Sequence, residues 1–319
     1  MAPAFLWFDA SSALKITAKH LRSGALGGHE SSHVKRKQPE KLGHEERLPE
    51  DLLLDVEAAT LNHELLGLDD KGNSILHAKP NKLQRPALGY ALILTWRDSD
   101  IRDYRREAAE VKKTFLEIRK WTTITAELTP QHRGADVSDQ VRCAYQVAAR
   151  LAQEDERRYG CKVVLTVFHH SHGNFNPYTG VLSLSSHGEP HGFEGHWRWW
   201  DLAPTLMSGD ELPVFFVLDC CHAGAAEMPD SMAYKTAQDG QAHRGPKHAT
   251  ELLASCHRMG ASGGEMTADL CYVLSALPKG PVSTYDLYYC VWNTMSWRQN
   301  VSPPVRGWLR DIDGGIMLP

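Results

Sequence analysis

The chain has 319 residues with a hydrophobic content of 42%, ordinary for a globular protein with a sizeable core, and a formal net charge of −4, which does not favour nucleic-acid binding. No apolar run approaches the ~20 residues that a membrane span requires, and the first residues lack the basic start and the apolar length of a signal peptide. The seven cysteines are odd in number and several lie in apolar segments, which favours reduced thiols in the cytosol or nucleus over a disulfide framework.

Residues 1–86 differ in composition from the rest of the chain. Residues 19–49 are rich in His, Lys, Glu, Gly and Ser and offer few apolar side chains to a core, so they indicate a loose extension. The basic cluster at residues 35–37 is open to three interpretations: a solvated segment, a processing site or a weak nuclear signal. A short helix is expected from about residue 50. We expect an extension or prodomain over residues 1–86 and one folded domain over residues 87–319.

Beyond residue 89, apolar segments with strand-like composition alternate with segments whose apolar residues recur at helical spacing. Strands are predicted at residues 90–96, 122–128, 161–168, 181–185, 214–218 and 251–256 and within 301–319. Helices are predicted at residues 104–121, 137–157, 197–207, 267–277 and 283–295. Strands that alternate with helices of this size indicate right-handed βαβ crossovers. The sequence therefore predicts an α/β protein, a three-layer α/β/α sandwich with a mainly parallel central sheet.

Polar and reactive side chains follow two of these strands. The strand at 161–168 runs into His-His-Ser-His-Gly at 169–173, and the strand at 214–218 runs into Asp-Cys-Cys-His at 219–222. The second strand is apolar throughout, which is typical of a central strand with both faces covered. The carboxyl ends of parallel strands meet at one edge of an open α/β sheet, where ligands bind, so adjacent strands would bring the two groups together.

A thiol beside an imidazole is the standard activated nucleophile of covalent catalysis, because a neighbouring imidazolium favours the thiolate. Cys221 and His172 are the candidates for this pair. Gly173 lets the backbone approach a substrate closely, and its N–H, together with that of Cys221, is suited to stabilise an oxyanion.

His172-Gly173 at one strand end and the run from Asp219 to Gly224 at the other resemble the paired motifs of the caspase and metacaspase family of cysteine peptidases. The order of predicted elements over residues 90–319 also fits, and the second motif is most similar to caspase-like proteins of filamentous fungi. The resemblance implies a caspase-like fold, with His172 as the acid/base partner and Cys221 as the nucleophile. It also implies a cysteine-type endopeptidase with a role in regulated cell death or incompatibility.

The sequence offers one alternative to each member of this pair. Cys220 is a rival nucleophile, but neighbouring strand residues point to opposite faces, and the family spacing places Cys221 in the active position with Cys220 turned into the core. Ser186-His187-Gly188 imitates the histidine motif, but no complete helix–strand unit precedes it. The chain departs from the family at Ser171, where glycine is usual, and at Ala223, where metacaspases commonly have serine.

Three acidic residues near the strand ends bear on specificity. The resemblance implies that Asp219, and Asp98 or Asp100 after the first strand, bind a substrate Arg or Lys, so protein or peptide substrates with a basic residue before the cleaved bond are expected. The alternative is structural: Asp219 caps a turn, and Asp98 or Asp100 caps the next helix. No clear counterpart of the calcium-binding aspartates of metacaspases is found. No cofactor is therefore expected, while calcium dependence and oligomeric state stay open.

Six histidines lie between residues 169 and 196, and histidine is a common zinc ligand. No second ligand set has a recognised spacing, so no metal site is expected. Two further functions stay open on the sequence. One is a catalytically silent caspase-like scaffold or regulator in a cell-death complex, and the other is a metal-binding regulator that uses the histidine cluster.

Overall fold

The computed structural model of the chain describes residues 53–57, 87–130, 137–188, 196–199, 201, 212–227, 248–260, 266–296, 302–310 and 315–319. Within these residues the α-helices are α1 (Tyr104–Lys113), α2 (Val137–Tyr159), α3 (Met266–Ala276) and α4 (Thr284–Ser296). The strands are β1 (Leu53–Glu57), β2 (Ala87–Trp96), β3 (Thr122–Leu128), β4 (Lys162–His170), β5 (His172–Asn176), β6 (Val181–Ser185), β7 (His196–Arg198), β8 (Val214–Asp219), β9 (Thr250–Ala254), β10 (Val282–Ser283), β11 (Val305–Arg310) and β12 (Met317–Leu318). No helix in this part of the chain has both the length and the apolar character needed to cross a membrane.

Seven strands form the central sheet, in the order β1-β3-β2-β4-β8-β9-β11. The inner strands β3, β2, β4, β8 and β9 are parallel to one another, whereas β1 and β11 join the two edges antiparallel. Strands β5, β6 and β7 form a small antiparallel sheet, and β10 pairs with β12. The prediction of an α/β protein with a mainly parallel sheet is confirmed.

Helices cover both faces of the central sheet, which explains why its central strands are apolar on both sides. Every residue of β8 is buried, and so is every residue of β4 except the first. One hydrophobic core joins one face of the sheet to α2, and a second core joins the opposite face to α1, α3 and α4. This arrangement is consistent with three layers, and it leaves the ends of the central strands as the places where polar groups can reach solvent.

Most predicted strands and helices lie close to their expected bounds, but the helix predicted at 197–207 is wrong at its start. Residues 196–198 form β7, which pairs with β6. Trp197 and Trp199 are each 1% exposed, so burial of two large side chains outweighs the local helical pattern. Residues 202–211 lie outside the described part of the chain.

The short helix expected from about residue 50 is also wrong, because residues 53–57 form β1 at the edge of the central sheet. All five residues pair with β3, whose backbone would otherwise present an open edge. Lys112 of α1 lies 2.7 Å from Asp55 and also contacts Glu57. Residues 53–57, within the segment expected to be an extension, thus supply a strand of the central sheet.

Two truncations separate the role of β1 from that of the residues before it. Removal of residues 1–48 is expected to leave the melting temperature within about 2 °C of the full chain, because β1 keeps its pairing. Removal of residues 1–57 opens the edge of β3 and should lower the melting temperature by roughly 4–8 °C, for a loss of about 2 kcal/mol. Scanning calorimetry of both chains measures this difference. A large drop after the shorter truncation would contradict the assignment of stability to β1.

Candidate active site

The ends of β4 and β8 lie side by side at the carboxyl edge of the parallel strands. Their register pairs His170 with Asp219, and the Ser171 N–H donates a hydrogen bond to the Asp219 carbonyl at 3.2 Å. The two strands therefore end at the same level of the sheet. This brings together the residues that follow them, although they are far apart in the sequence.

Gly173 lies directly against the turn that contains Cys221. A β-carbon at position 173 would be 1.8 Å from the Cys221 carbonyl oxygen and 3.1 Å from the Cys220 sulfur. Only glycine fits here without movement of the Cys221 backbone. Gly173, which follows the predicted His172, and the predicted Cys221 are thus neighbours in the fold.

The two adjacent cysteines have different environments. Cys220 is 2% exposed, and burial raises the pKa of its thiol well above the ordinary value. The Ser255 hydroxyl holds its backbone, accepting from the Cys220 N–H and donating to the Cys220 carbonyl, both at 3.1 Å. Cys221 is only partly buried. The expectation that Cys220 turns into the core is confirmed, which leaves Cys221 as the more accessible thiol.

The chain makes a strained turn immediately after Cys221. His222 has a φ of 61°, a left-handed conformation that costs a non-glycine residue about 1–3 kcal/mol. Its N–H donates to the Gly260 carbonyl and its Nδ1 to the Arg258 carbonyl, both at 2.9 Å. A β-carbon at Gly224 would lie 2.8 Å from the Cys256 carbonyl oxygen. The loop after β9 therefore supports this turn, a role that no sequence motif had indicated.

His172 makes a direct contact with Asp100 in the loop after β2. The His172 Nε2 and Asp100 Oδ1 atoms are 2.6 Å apart, and the Gly188 N–H donates to Asp100 Oδ2 at 3.1 Å. A β-carbon at Gly188 would lie 3.3 Å from Cε1 of the His172 ring, so the ring packs on the turn after β6. One carboxylate therefore joins the imidazole to that turn.

The other candidates from the sequence, His187 and Asp98, lie farther along the same surface. Both line an open groove of about 490 Å³ together with the start of α1. The His187 Nδ1 is 2.8 Å from the Ser186 hydroxyl oxygen. The N-cap position of α1 is Asp103, so neither Asp98 nor Asp100 caps that helix.

Asp219 is fully buried and its carboxylate has a partner in the folded chain. Its Oδ2 accepts hydrogen bonds from the Thr267 N–H at 2.9 Å and from the Thr267 hydroxyl at 2.7 Å, at the start of α3. Asp219 therefore holds the start of α3, where the helix N-terminus supplies N–H donors and favours a negative charge. This contact resembles the structural alternative for Asp219, a cap, although the capped group is a helix and not a turn.

His170 lies between Asp219 and a second acid that the sequence analysis did not select. Its side chain is 6% exposed, and its Nδ1 is 3.2 Å from Oε2 of Glu107 on α1. Burial alone would lower the pKa of His170, but the contact with Glu107 and the charges of Asp219 and Glu107 outweigh it and raise that pKa. No motif indicates Glu107, because only the packing of α1 on the sheet brings it to the strand end.

The pKa of His169 is shifted in the opposite direction from that of His170. His169 is 1% exposed and packs between Trp96 and Trp197, and burial lowers its pKa to about 3. It is therefore neutral at pH 7, with its Nδ1 3.2 Å from the Leu94 carbonyl. Within the described residues, no group of three or more His, Cys, Asp or Glu side chains is arranged to hold a metal, and His191 falls outside them.

Together these residues place a partly buried thiol, an imidazole and a close-packed backbone at one edge of the sheet, above buried acids. Such an arrangement can support nucleophilic catalysis, in which a thiol attacks an electrophilic carbon and an imidazole moves the proton. Comparison with family models finds no match for the chain, and a search among curated proteins finds none either. The chemistry of the site is therefore interpreted from its own geometry.

The contact at Gly173 yields a direct test of this geometry. In Gly173→Ala the new methyl group would lie 1.8 Å from the Cys221 carbonyl oxygen, so the two turns must separate. We expect a loss of about 1–3 kcal/mol in the free energy of unfolding and an altered rate of Cys221 alkylation by iodoacetamide. Asn174→Ala, at the exposed next position, is the control and should change neither. Wild-type stability and alkylation in Gly173→Ala would contradict the contact.

Proposed function

We propose that the protein is a cysteine endopeptidase of caspase-like fold, with Cys221 as the nucleophile and His172 as the acid/base group. The observation that carries the proposal is the contact of Gly173 with the Cys221 backbone at the ends of adjacent parallel strands. The burial of Cys220 supports the choice of Cys221. The sequence motifs at the ends of β4 and β8 support the choice of the caspase and metacaspase family.

In the proposed reaction His172 accepts the proton of the Cys221 thiol, the sulfur forms a bond to the carbonyl carbon of the scissile peptide, and the carbonyl π-electron pair moves to the oxygen. The N–H groups of Gly173 and Cys221 stabilise that oxyanion. His172 donates a proton to the leaving amine as the C–N bond breaks, which leaves an acyl-thioester. Water then attacks the thioester, His172 accepts its proton, and the Cys221 thiolate leaves with the carboxylic acid product released.

We also propose that the substrate carries Arg or Lys before the cleaved bond. Asp219 is fully buried, and its Oδ2 accepts hydrogen bonds from the N–H and hydroxyl groups of Thr267, a neutral residue. Glu107 adds a second acidic side chain below the strand ends, with its Oε2 3.2 Å from Nδ1 of His170. A buried charge is weakly screened and attracts a cation over several ångströms. Asp98 lies in the groove beside the site, but Arg97, Arg105 and Arg106 line the same groove, so the preference is assigned to the buried acids and not to Asp98.

A reducing compartment, such as the cytosol or nucleus, suits this chemistry. All seven cysteines of the chain are described, and none forms a disulfide. We propose that the protein acts there in regulated cell death or incompatibility, on the strength of the family resemblance of its two motifs.

The function is tested by incubating the full chain with a fluorogenic peptide library that varies the residue before the cleaved bond. We expect cleavage that is lost in Cys221→Ala and retained in Cys290→Ala, which removes another partly buried thiol. A thiol-directed peptide inhibitor should label Cys221 alone. No cleavage and no selective labelling of the wild type, with or without calcium, would instead support the catalytically silent scaffold.

Specificity is tested with two variants that separate the charge of Asp219 from its hydrogen bonds. Asp219→Asn keeps an oxygen that can accept from Thr267 but removes the negative charge, so we expect the preference for Arg or Lys over uncharged residues to fall about tenfold, or 1.4 kcal/mol. Thr267→Val removes one hydrogen bond, so it should lower stability by about 1 kcal/mol and leave the preference unchanged.

The measurement is kcat/KM over the peptide series for both variants and the wild type. An unchanged preference in Asp219→Asn would overturn the role of Asp219. Faster cleavage after Asp than after Arg by the wild type would overturn the acidic subsite as a whole and point instead to Arg97 in the loop after β2.

A further inference from the structure

We propose that Asp100 is a positioning residue for His172 and completes a Cys221–His172–Asp100 triad. This inference rests on the proposed function, because it assigns Asp100 to the same reaction. It also replaces the earlier assignment of Asp100 to substrate binding. The proposal follows from the contacts of the Asp100 carboxylate, from the way the fold holds Asp100, and from the protonation state of its side chain.

The contact between the two side chains determines which ring nitrogen is left for the thiol. His172 Nε2 lies 2.6 Å from Asp100 Oδ1, at the short end of the range for an N–H donor and a charged acceptor. A neutral imidazole carries one N–H and one acceptor nitrogen. With Nε2–H donated to Asp100, Nδ1 is the acceptor that remains to take a proton from Cys221.

The position of Asp100 is set by the same hairpin that carries His172. The Asp100 N–H donates to the Ser186 carbonyl at 3.4 Å, and the Gly188 N–H donates to Asp100 Oδ2 at 3.1 Å. The turn that supplies these groups follows β6, and β6 pairs His172 with Ser185. The carboxylate and the imidazole are therefore held relative to each other by a few residues of one hairpin, which favours a fixed geometry.

Both oxygens of Asp100 are already used, which argues against a role in binding a substrate cation. Burial alone would raise the pKa of Asp100, but the Gly188 N–H, the hydrogen bond to His172 and the charges of His172 and His187 lower it below the ordinary value. Asp100 is thus a carboxylate at neutral pH. A carboxylate in this place fixes the tautomer of the imidazole and stabilises the imidazolium that forms when Cys221 loses its proton.

The pair is partly open to solvent in the free protein. The side chains of His172 and Asp100 are 32% and 47% exposed, so water weakens their attraction. A peptide bound across the strand ends would exclude that water and strengthen the interaction at the moment of reaction. The effect of Asp100 should therefore fall on kcat rather than on KM.

The test compares Asp100→Asn with Asp139→Asn in the full chain. Asp139 is a matched control, because it is 45% exposed and forms an ion pair with Arg142 in the first turn of α2 instead of with His172. We expect Asp100→Asn to lower kcat roughly 10²-fold to 10³-fold with KM changed less than about threefold, and Asp139→Asn to change neither. A rise in KM at constant kcat would overturn the proposal and return Asp100 to substrate binding.

Two measurements do not depend on peptidase activity. Iodoacetamide alkylation of Cys221 at pH 7 should slow about tenfold in Asp100→Asn, because the imidazolium that supports the thiolate loses its carboxylate. ¹⁵N NMR of the wild type should find the proton of neutral His172 on Nε2, a result that needs no variant. A proton on Nδ1, or unchanged alkylation in Asp100→Asn, would overturn the proposal.

These outcomes distinguish a failure of the proposed triad from a failure of the proposed peptidase activity. A wild type that cleaves no peptide, but whose Cys221 alkylation depends on Asp100, would refute the peptidase and keep the coupling of the three side chains. A wild type that cleaves peptides while Asp100→Asn retains kcat and alkylation would refute the triad and keep the peptidase.

Discussion

The parallel pairing of β4 with β8 is the constraint on which the candidate site depends. The register that pairs His170 with Asp219 ends both strands at one level, so the segments that follow emerge side by side. Their approach is so close that position 173 accepts no side chain. Hydrophobic cores on both faces hold the two strands in place, and the reactive groups are confined to the edge where polar atoms can meet solvent.

Three histidines lie within four consecutive positions at the end of β4, and they differ in protonation behaviour because they differ in burial and in their neighbours. His169 is enclosed by Trp96 and Trp197 and is held neutral by burial, with a pKa of about 3. His170 is almost as deep, but Glu107 and Asp219 raise its pKa. His172 reaches the surface and meets Asp100. A single residue type thus supplies a packing element, a buried group with a raised pKa and a candidate catalytic base, because its neighbours differ at each position.

The acidic residues near the site also differ from one another in burial and in their partners. Asp219 and Glu107 lie below the strand ends, where protein groups stabilise them, while Asp100 lies at the surface beside the imidazole. The acids expected to share one role therefore lie in two places: Asp219 is buried, and we propose that it selects a cationic substrate, whereas Asp100 is exposed, and we propose that it orients His172. Thr267 and Gly188, which hold two of these carboxylates through backbone N–H groups, are as necessary to this division as the acids themselves.

The sequence by itself determined the strands of the central sheet beyond residue 89, the helices α1 to α4, the parallel character of the sheet, and the two strand ends that precede His172 and Cys221. Apolar runs, helical spacing and abrupt changes to polar residues are local signals, so they can be interpreted without the fold. Only the tertiary structure decided that residues 53–57 add a strand, that Asp219 caps α3, that Glu107 meets His170 and that Asp100 meets His172. Each of these joins segments distant in the sequence, and such contacts depend on the packing of the whole domain, which no local pattern records.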